Sequence, residues 1–91
     1  NALHLAANTC SNPKIIEALV EMGADINVRN YLGETPLIMS VQANENTRIF
    51  SQLIDCGADY SICDWQGHSV MEYARREKRA YIITVLKKLG L

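Results

Sequence analysis

The side chains best equipped for chemistry in this chain are His4, His68, Cys10, Cys56 and Cys63. Imidazoles serve as general bases or metal ligands, and thiolates as nucleophiles. Either use needs partners within bonding reach. The histidines fall in the first and third of three repeated units, which holds them about two unit widths apart. No cysteine has a histidine beside it in sequence, and no CxxC pair occurs. Neither a structural zinc site nor a disulfide framework is expected, and an odd cysteine count fits a reducing, intracellular setting, cytoplasm or nucleus. GxGxxG, GKS/GKT and HExxH are absent from the sequence. The expectation is therefore no enzyme, no catalytic residue, no metal, no cofactor and no small-molecule substrate.

Anion binding is the remaining simple chemistry. Arg75, Arg76, Lys78, Arg79, Lys87 and Lys88 cluster in sequence, either as the solvated face of a last helix or as a phosphate-binding patch. The formal charge of -1 favours the first reading and makes nucleic acid an unlikely partner. No apolar run approaches the roughly 20 residues that span a bilayer, so direct membrane insertion is not expected. A charged fraction of 21% with 48% apolar residues suits a folded domain rather than a disordered segment.

The elements that must position any surface are repeated. Gly23-Ala24-Asp25 returns as Gly57-Ala58-Asp59, and Leu3, Leu37 and Met71 are spaced 34 apart. Each is followed by an amphipathic stripe: Ile15, Ile16, Leu19 and Val20; Ile49, Phe50, Leu53 and Ile54; Ile82, Ile83, Leu86 and Leu89. Spacings of three and four place each stripe on one helical face. Each unit reads as a short helix, a turn, a longer helix and a loop, giving an all-α repeat solenoid of stacked helix-turn-helix units. Approximate units are 1–29, 30–63 and 64–91. Thr35-Pro36 and Asn12-Pro13 supply an N-cap and a proline at the first helical position. Ser69 with Glu72 is a capping-box pattern, and Gly23, Gly57 and Gly90 stand where left-handed residues end helices. The segments ADINVRNYLGE and ADYSICDWQGH read as turns or small β-hairpins.

These boxes in register resemble the ankyrin-repeat family across essentially the whole chain. Leu3-His4 with Ala6-Ala7, Gly33-Glu34-Thr35-Pro36-Leu37, and Gly67-His68-Ser69-Val70-Met71 match its opening box. Leu19-Val20 with Gly23-Ala24-Asp25-Ile26-Asn27, and Leu53-Ile54 with Gly57-Ala58-Asp59, match its closing one. The resemblance implies that His4 bonds to an adjacent loop, a role Ile38 and Glu72 cannot share. Ser40 and Val41 stand where small alanines are usual. One extra residue is expected between the helices of units one and two, around Thr9–Asn12 and Ala43–Asn46. Arg75 and Lys87 are polar intrusions that suit a C-terminal capping unit, and NALHLAA reads as a first unit truncated at its start in a longer protein.

The resemblance further implies protein–protein recognition or scaffolding by a concave surface of loop tips and first helices. Carried over by position, that surface comprises Arg29, Tyr31, Leu32 and Glu34 on one loop and Cys63, Trp65, Gln66 and His68 on the next. Met39, Gln42, Tyr73, Arg76 and Asn8 are expected from the adjoining helices. The alternative is a structural or regulatory arm packed within a larger enzyme, channel or complex. Trp65 is either a recognition residue or packing against its neighbour, and Tyr31 is as evenly balanced. Tyr60 is expected to fill space between units. Asn27 occupies a position resembling substrates of asparaginyl hydroxylation, with hydrogen bonding across the loop as its structural role.

Overall fold

The computed structural model describes residues 2–44 and 46–90. Asn1, in the first predicted box, Glu45, inside a predicted insertion, and Leu91 lie outside them. Six helices follow in order: α1 (Ala2–Thr9), α2 (Pro13–Glu21), α3 (Pro36–Ala43), α4 (Thr47–Asp55), α5 (Val70–Arg76) and α6 (Ala80–Lys88). Helices α1 and α2, α3 and α4, and α5 and α6 pack as pairs; α1, α3 and α5 then stack as one layer and α2, α4 and α6 as another. No unit has enough apolar surface to close a core alone, so the core runs through the stack. Leu3, Leu37 and Met71 occupy it at equivalent positions, with Ile16, Ile49, Phe50, Leu53, Ile82 and Leu86 supplied by the other layer.

Local chemistry sets the helix boundaries. The Thr35 hydroxyl accepts from Ile38 N–H at 3.3 Å, and Pro36 follows at the first helical position, where no N–H is needed. The Asn12 side chain caps Pro13-led α2 in the same way, accepting from Lys14 N–H at 3.0 Å. Ser69 caps α5 through Glu72 N–H at 3.2 Å. At the other end of α4, Gly57 N–H donates to Ile54 and Ala58 N–H to Leu53, closing the last turn around a residue at φ 92°. Lys78 adopts φ 56° in the turn after α5 and makes the same pair of bonds, with Arg79 N–H donating to Ala74.

Several expectations change. Ile15 is exposed while Ile16 is fully buried, because neighbours on a helix point about 100° apart and only one can face the core. Leu89 falls just past α6 and is partly exposed. The extra residue of unit two lengthens its inner helix: α3 has 8 residues and α5 has 7, while each connection to the following helix is three residues long. Among the described residues the inter-unit loops contain turns and no strand.

The units are also wired by side chains. His4 Nε2 lies 2.7 Å from the Glu34 carbonyl. Asn44 Nδ2 donates to the carbonyls of Ala7 and Cys10 at 3.0 and 2.7 Å, tying α3's end to α1's end. Asn27 Oδ1 accepts from Asp59 N–H at 2.8 Å, the cross-loop role expected of it. Tyr60 packs against the core and donates its hydroxyl to Leu89 O at 3.3 Å, filling space between units.

Candidate functional site

Two loop tips stand side by side and share one construction. In the first, Asn30 Oδ1 accepts from the N–H groups of Leu32 and Glu34, both at 2.9 Å, while Gly33 N–H donates to Asn30 O. In the second, Asp64 Oδ1 accepts from Gln66 and His68 N–H at 3.0 and 2.9 Å, while Gly67 N–H donates to Asp64 O. A short acceptor side chain that bonds its own loop two and four residues on freezes the tip without a strand ladder. Sequence reasoning passed over Asn30 and Asp64. The signal was present as an Asn or Asp three residues before each tip glycine, repeated 34 residues apart.

The tips are joined directly. Trp65 N–H donates to Leu32 O at 3.1 Å. The Trp65 ring lies on Gly33, where a β-carbon would sit only 2.5 Å from its Cδ2. The Arg29 guanidinium stands 4.5 Å from the Trp65 ring centroid and donates to Cys63 O at 2.9 Å. The packing reading of Trp65 is realised, since the ring lies on its neighbour's loop, and Trp65 nevertheless remains 63% exposed. Tyr31 is 88% exposed and Leu32 48%.

Between the tips is a cavity of about 220 Å³ lined by Tyr31, Leu32, Glu34, Asp64, Trp65, Gln66 and Tyr73. Six of the residues placed on the surface by position thus meet around one depression, and Asp64 joins them. Their exposures differ: Tyr31, Leu32, Trp65 and Gln66 form the rim, whereas Glu34 and Tyr73 are buried in the wall. Arg29, Cys63, His68, Arg76, Met39, Gln42 and Asn8 are not in the lining. Arg29 and Cys63 brace the second tip, Met39 Sδ receives Asn30 Nδ2 at 3.7 Å, and Arg76 sits 5.4 Å from the Tyr73 ring centroid. Asn8 and Gln42 are half-buried on α1 and α3.

Beneath the second tip, the Tyr73 hydroxyl donates to Asp64 Oδ2, and His68 Nδ1 lies 3.4 Å from the same hydroxyl. Burial raises the Asp64 carboxyl, but the Tyr73 hydroxyl, the His68 and Gln66 N–H groups and the nearby His68 ring outweigh it and hold the group below its ordinary value. Burial, then the hydrogen bond and charge of Asp64, pushes the Tyr73 phenol up to about 12. The network is built to hold a loop. Its acceptor is already occupied, and it offers no free nucleophile.

Among the described residues no cluster of His, Cys, Asp or Glu has the arrangement of a metal site, and no helix is long and apolar enough to cross a membrane. The basic residues fall at the end of α5, in the following turn and at the end of α6.

Comparison with known proteins agrees with this architecture. Over 72 residues, 79% of its length, the chain is 42% identical to the ADP-ribosylation factor GTPase-activating protein AGD2 of Arabidopsis thaliana, and spans 9% of that protein. The sequence profile of ankyrin repeats in three copies matches residues 3–90. With paired helices stacked in two layers and loop tips wired from unit to unit, the chain belongs to the ankyrin-repeat family.

Proposed function

We infer that this chain takes the general role of ankyrin repeats, which are structural and interaction modules, in protein–protein interaction. We propose that its recognition surface is the pair of loop tips, with Tyr31, Leu32, Trp65 and Gln66 as the contacting residues and Glu34 and Tyr73 forming the wall behind them. The carrying observation is an exposed aromatic pair held on rigid tips: Trp65 and Tyr31 project while Arg29, Gly33 and Leu32 fix the backbone beneath them. Exposed aromatics on a preorganised surface lose little entropy on binding and dominate interface energies, each costing about 2 kcal/mol or more when truncated at a hot spot. The test is a pulldown comparing the folded wild type with Tyr31→Ala/Trp65→Ala. A partner held by the wild type and lost from the folded double variant supports the surface. Unchanged retention by that variant would remove it.

A second reading has its own observation. The AGD2 relative is named as a GTPase-activating protein, and the match covers 9% of it. On this reading the chain is an ankyrin arm of a larger enzyme. Deleting these residues from the full-length polypeptide should then change the GTP hydrolysis it stimulates, and unchanged stimulation argues for recognition alone.

A further inference from the structure

Glu34 is the one carboxylate in the tip cavity that the protein leaves incompletely matched. It is only 9% exposed. Its Oε1 accepts from Asn30 Nδ2 at 3.0 Å, while Oε2 has no hydrogen-bond partner among the described residues. The single ion contact among those residues joins His68 to Asp64, so no cation is paired with Glu34. The nearby cations are engaged elsewhere: Arg29 lies on Trp65 and donates to Cys63 O, and Arg76 lies on Tyr73. Asp64, the other acid of the cavity, is filled by Tyr73, Gln66 and His68. A carboxylate largely removed from water calls for an opposite charge and a donor for its spare oxygen. Oε2 keeps contact with solvent, so both can reach it there in place of water.

The cavity mouth is aromatic. Tyr31, Trp65 and Tyr73 line the same space as Glu34, and ring faces attract cations. A volume of about 220 Å³ is below the range of ordinary small-molecule pockets, about 300–1,000 Å³, and suits one side chain. We propose that the Glu34 cavity seats an arginine or lysine side chain of a protein partner. Its alkyl stem lies against Tyr31, Leu32 and Trp65, and its head donates to Glu34 Oε2. This rests on the loop tips being the recognition surface, and it specifies what a partner must present there.

The probes are alanine peptides carrying one central Arg, Lys, norleucine or Glu, titrated into the ¹⁵N-labelled chain. Trp65 is the sole tryptophan, so its indole N–H is an unambiguous NMR reporter. The Arg and Lys peptides should shift that signal and the Gly33 and Glu34 amides saturably, and less at high salt. The norleucine and Glu peptides should bind about tenfold more weakly or worse. Glu34→Gln keeps the acceptor for Asn30 and every main-chain bond, so it should fold as the wild type does by circular dichroism. It should weaken the Arg and Lys peptides about tenfold. No shift with the cationic peptides, equal binding of norleucine, or undiminished binding by Glu34→Gln overturns the assignment. A protein partner lost from Tyr31→Ala/Trp65→Ala but bound by Glu34→Gln at wild-type affinity would leave the recognition surface standing and remove the cation site alone. Full retention by the double variant would remove the surface itself.

Discussion

The Tyr73 hydroxyl lies between α5 and the second loop tip, and it and its partner Asp64 are displaced in opposite directions from their ordinary values. Because the folded protein raises the phenol from 10.0 to about 12, the neutral form is favoured in the fold. The associated stability is complete below pH 10 and is lost as the pH climbs from 10 towards about 12. Asp64 runs the other way: its carboxyl is held below the ordinary 3.8, so its contribution is complete above that value and disappears as the pH falls through the folded one. Tyr73→Phe removes the donor to Asp64 Oδ2 and leaves burial, which raises the carboxyl, less opposed. The variant should lose about 1–3 kcal/mol at neutral pH. Its alkaline loss should be shallower than that of the wild type, and its acid loss should be smaller too, because Asp64 is then held less far below its unfolded value. Urea midpoints measured for both proteins across the pH range check all three. Identical alkaline limbs would show that the Tyr73–Asp64 bond does not hold the tip.

At the scale of elements, the two tips differ in one contact that glycine makes possible. Gly33 and Gly67 have almost the same backbone, φ 80° and 83°, so an added methyl strains both alike. At Gly67 the β-carbon meets open space, whereas at Gly33 it strikes the Trp65 ring and its backbone N. Gly67→Ala should therefore cost about 1–3 kcal/mol of conformational strain. Gly33→Ala should cost more and also displace the indole, shifting the fluorescence of the sole tryptophan, which Gly67→Ala should leave in place. Equal emission spectra in the two variants would argue against the close packing of the tips. The helices themselves were legible because Thr35-Pro36, Asn12-Pro13 and Ser69 act on bonds within a few residues, and the apolar stripes report one periodicity. The loop wiring was partly legible: Asn30 and Asp64 act locally and carried a repeated signal, yet Trp65 on Gly33 and Arg29 on Cys63 join residues more than 30 positions apart. Position along the repeat brought Glu34 and Tyr73 into the candidate surface but could not show that they form its wall, because burial depends on where the next unit's loop lands. The extra residue of unit two was legible as a length and not as a place, since a helix can absorb it by growing.

For the whole molecule, stability depends on who touches whom in the stack. Helix α3 packs chiefly against α1, α4 and α5, whereas α6 packs chiefly against α4 and α5. Leu37 and Leu86 are equally buried, at 1% and 0% exposure, and truncation of either to Ala should cost about 2–5 kcal/mol. At 91 residues the chain has about 5–14 kcal/mol in total, so either loss is large. The consequences should differ in extent. Leu37→Ala weakens contacts with units on both sides, and opening α3 separates α1 from α5; all six helices should lose hydrogen-exchange protection together. Leu86→Ala weakens one side of the stack, so α6 can open while α1–α4 keep their neighbours, and protection should fall chiefly in α6. The tips would then survive in Leu86→Ala at low denaturant, with the Trp65 fluorescence unchanged after α6 amides have begun to exchange rapidly. Uniform loss of protection in both variants would mean that the three units open only as one block, and that nearest-neighbour contacts do not set how far a local defect spreads.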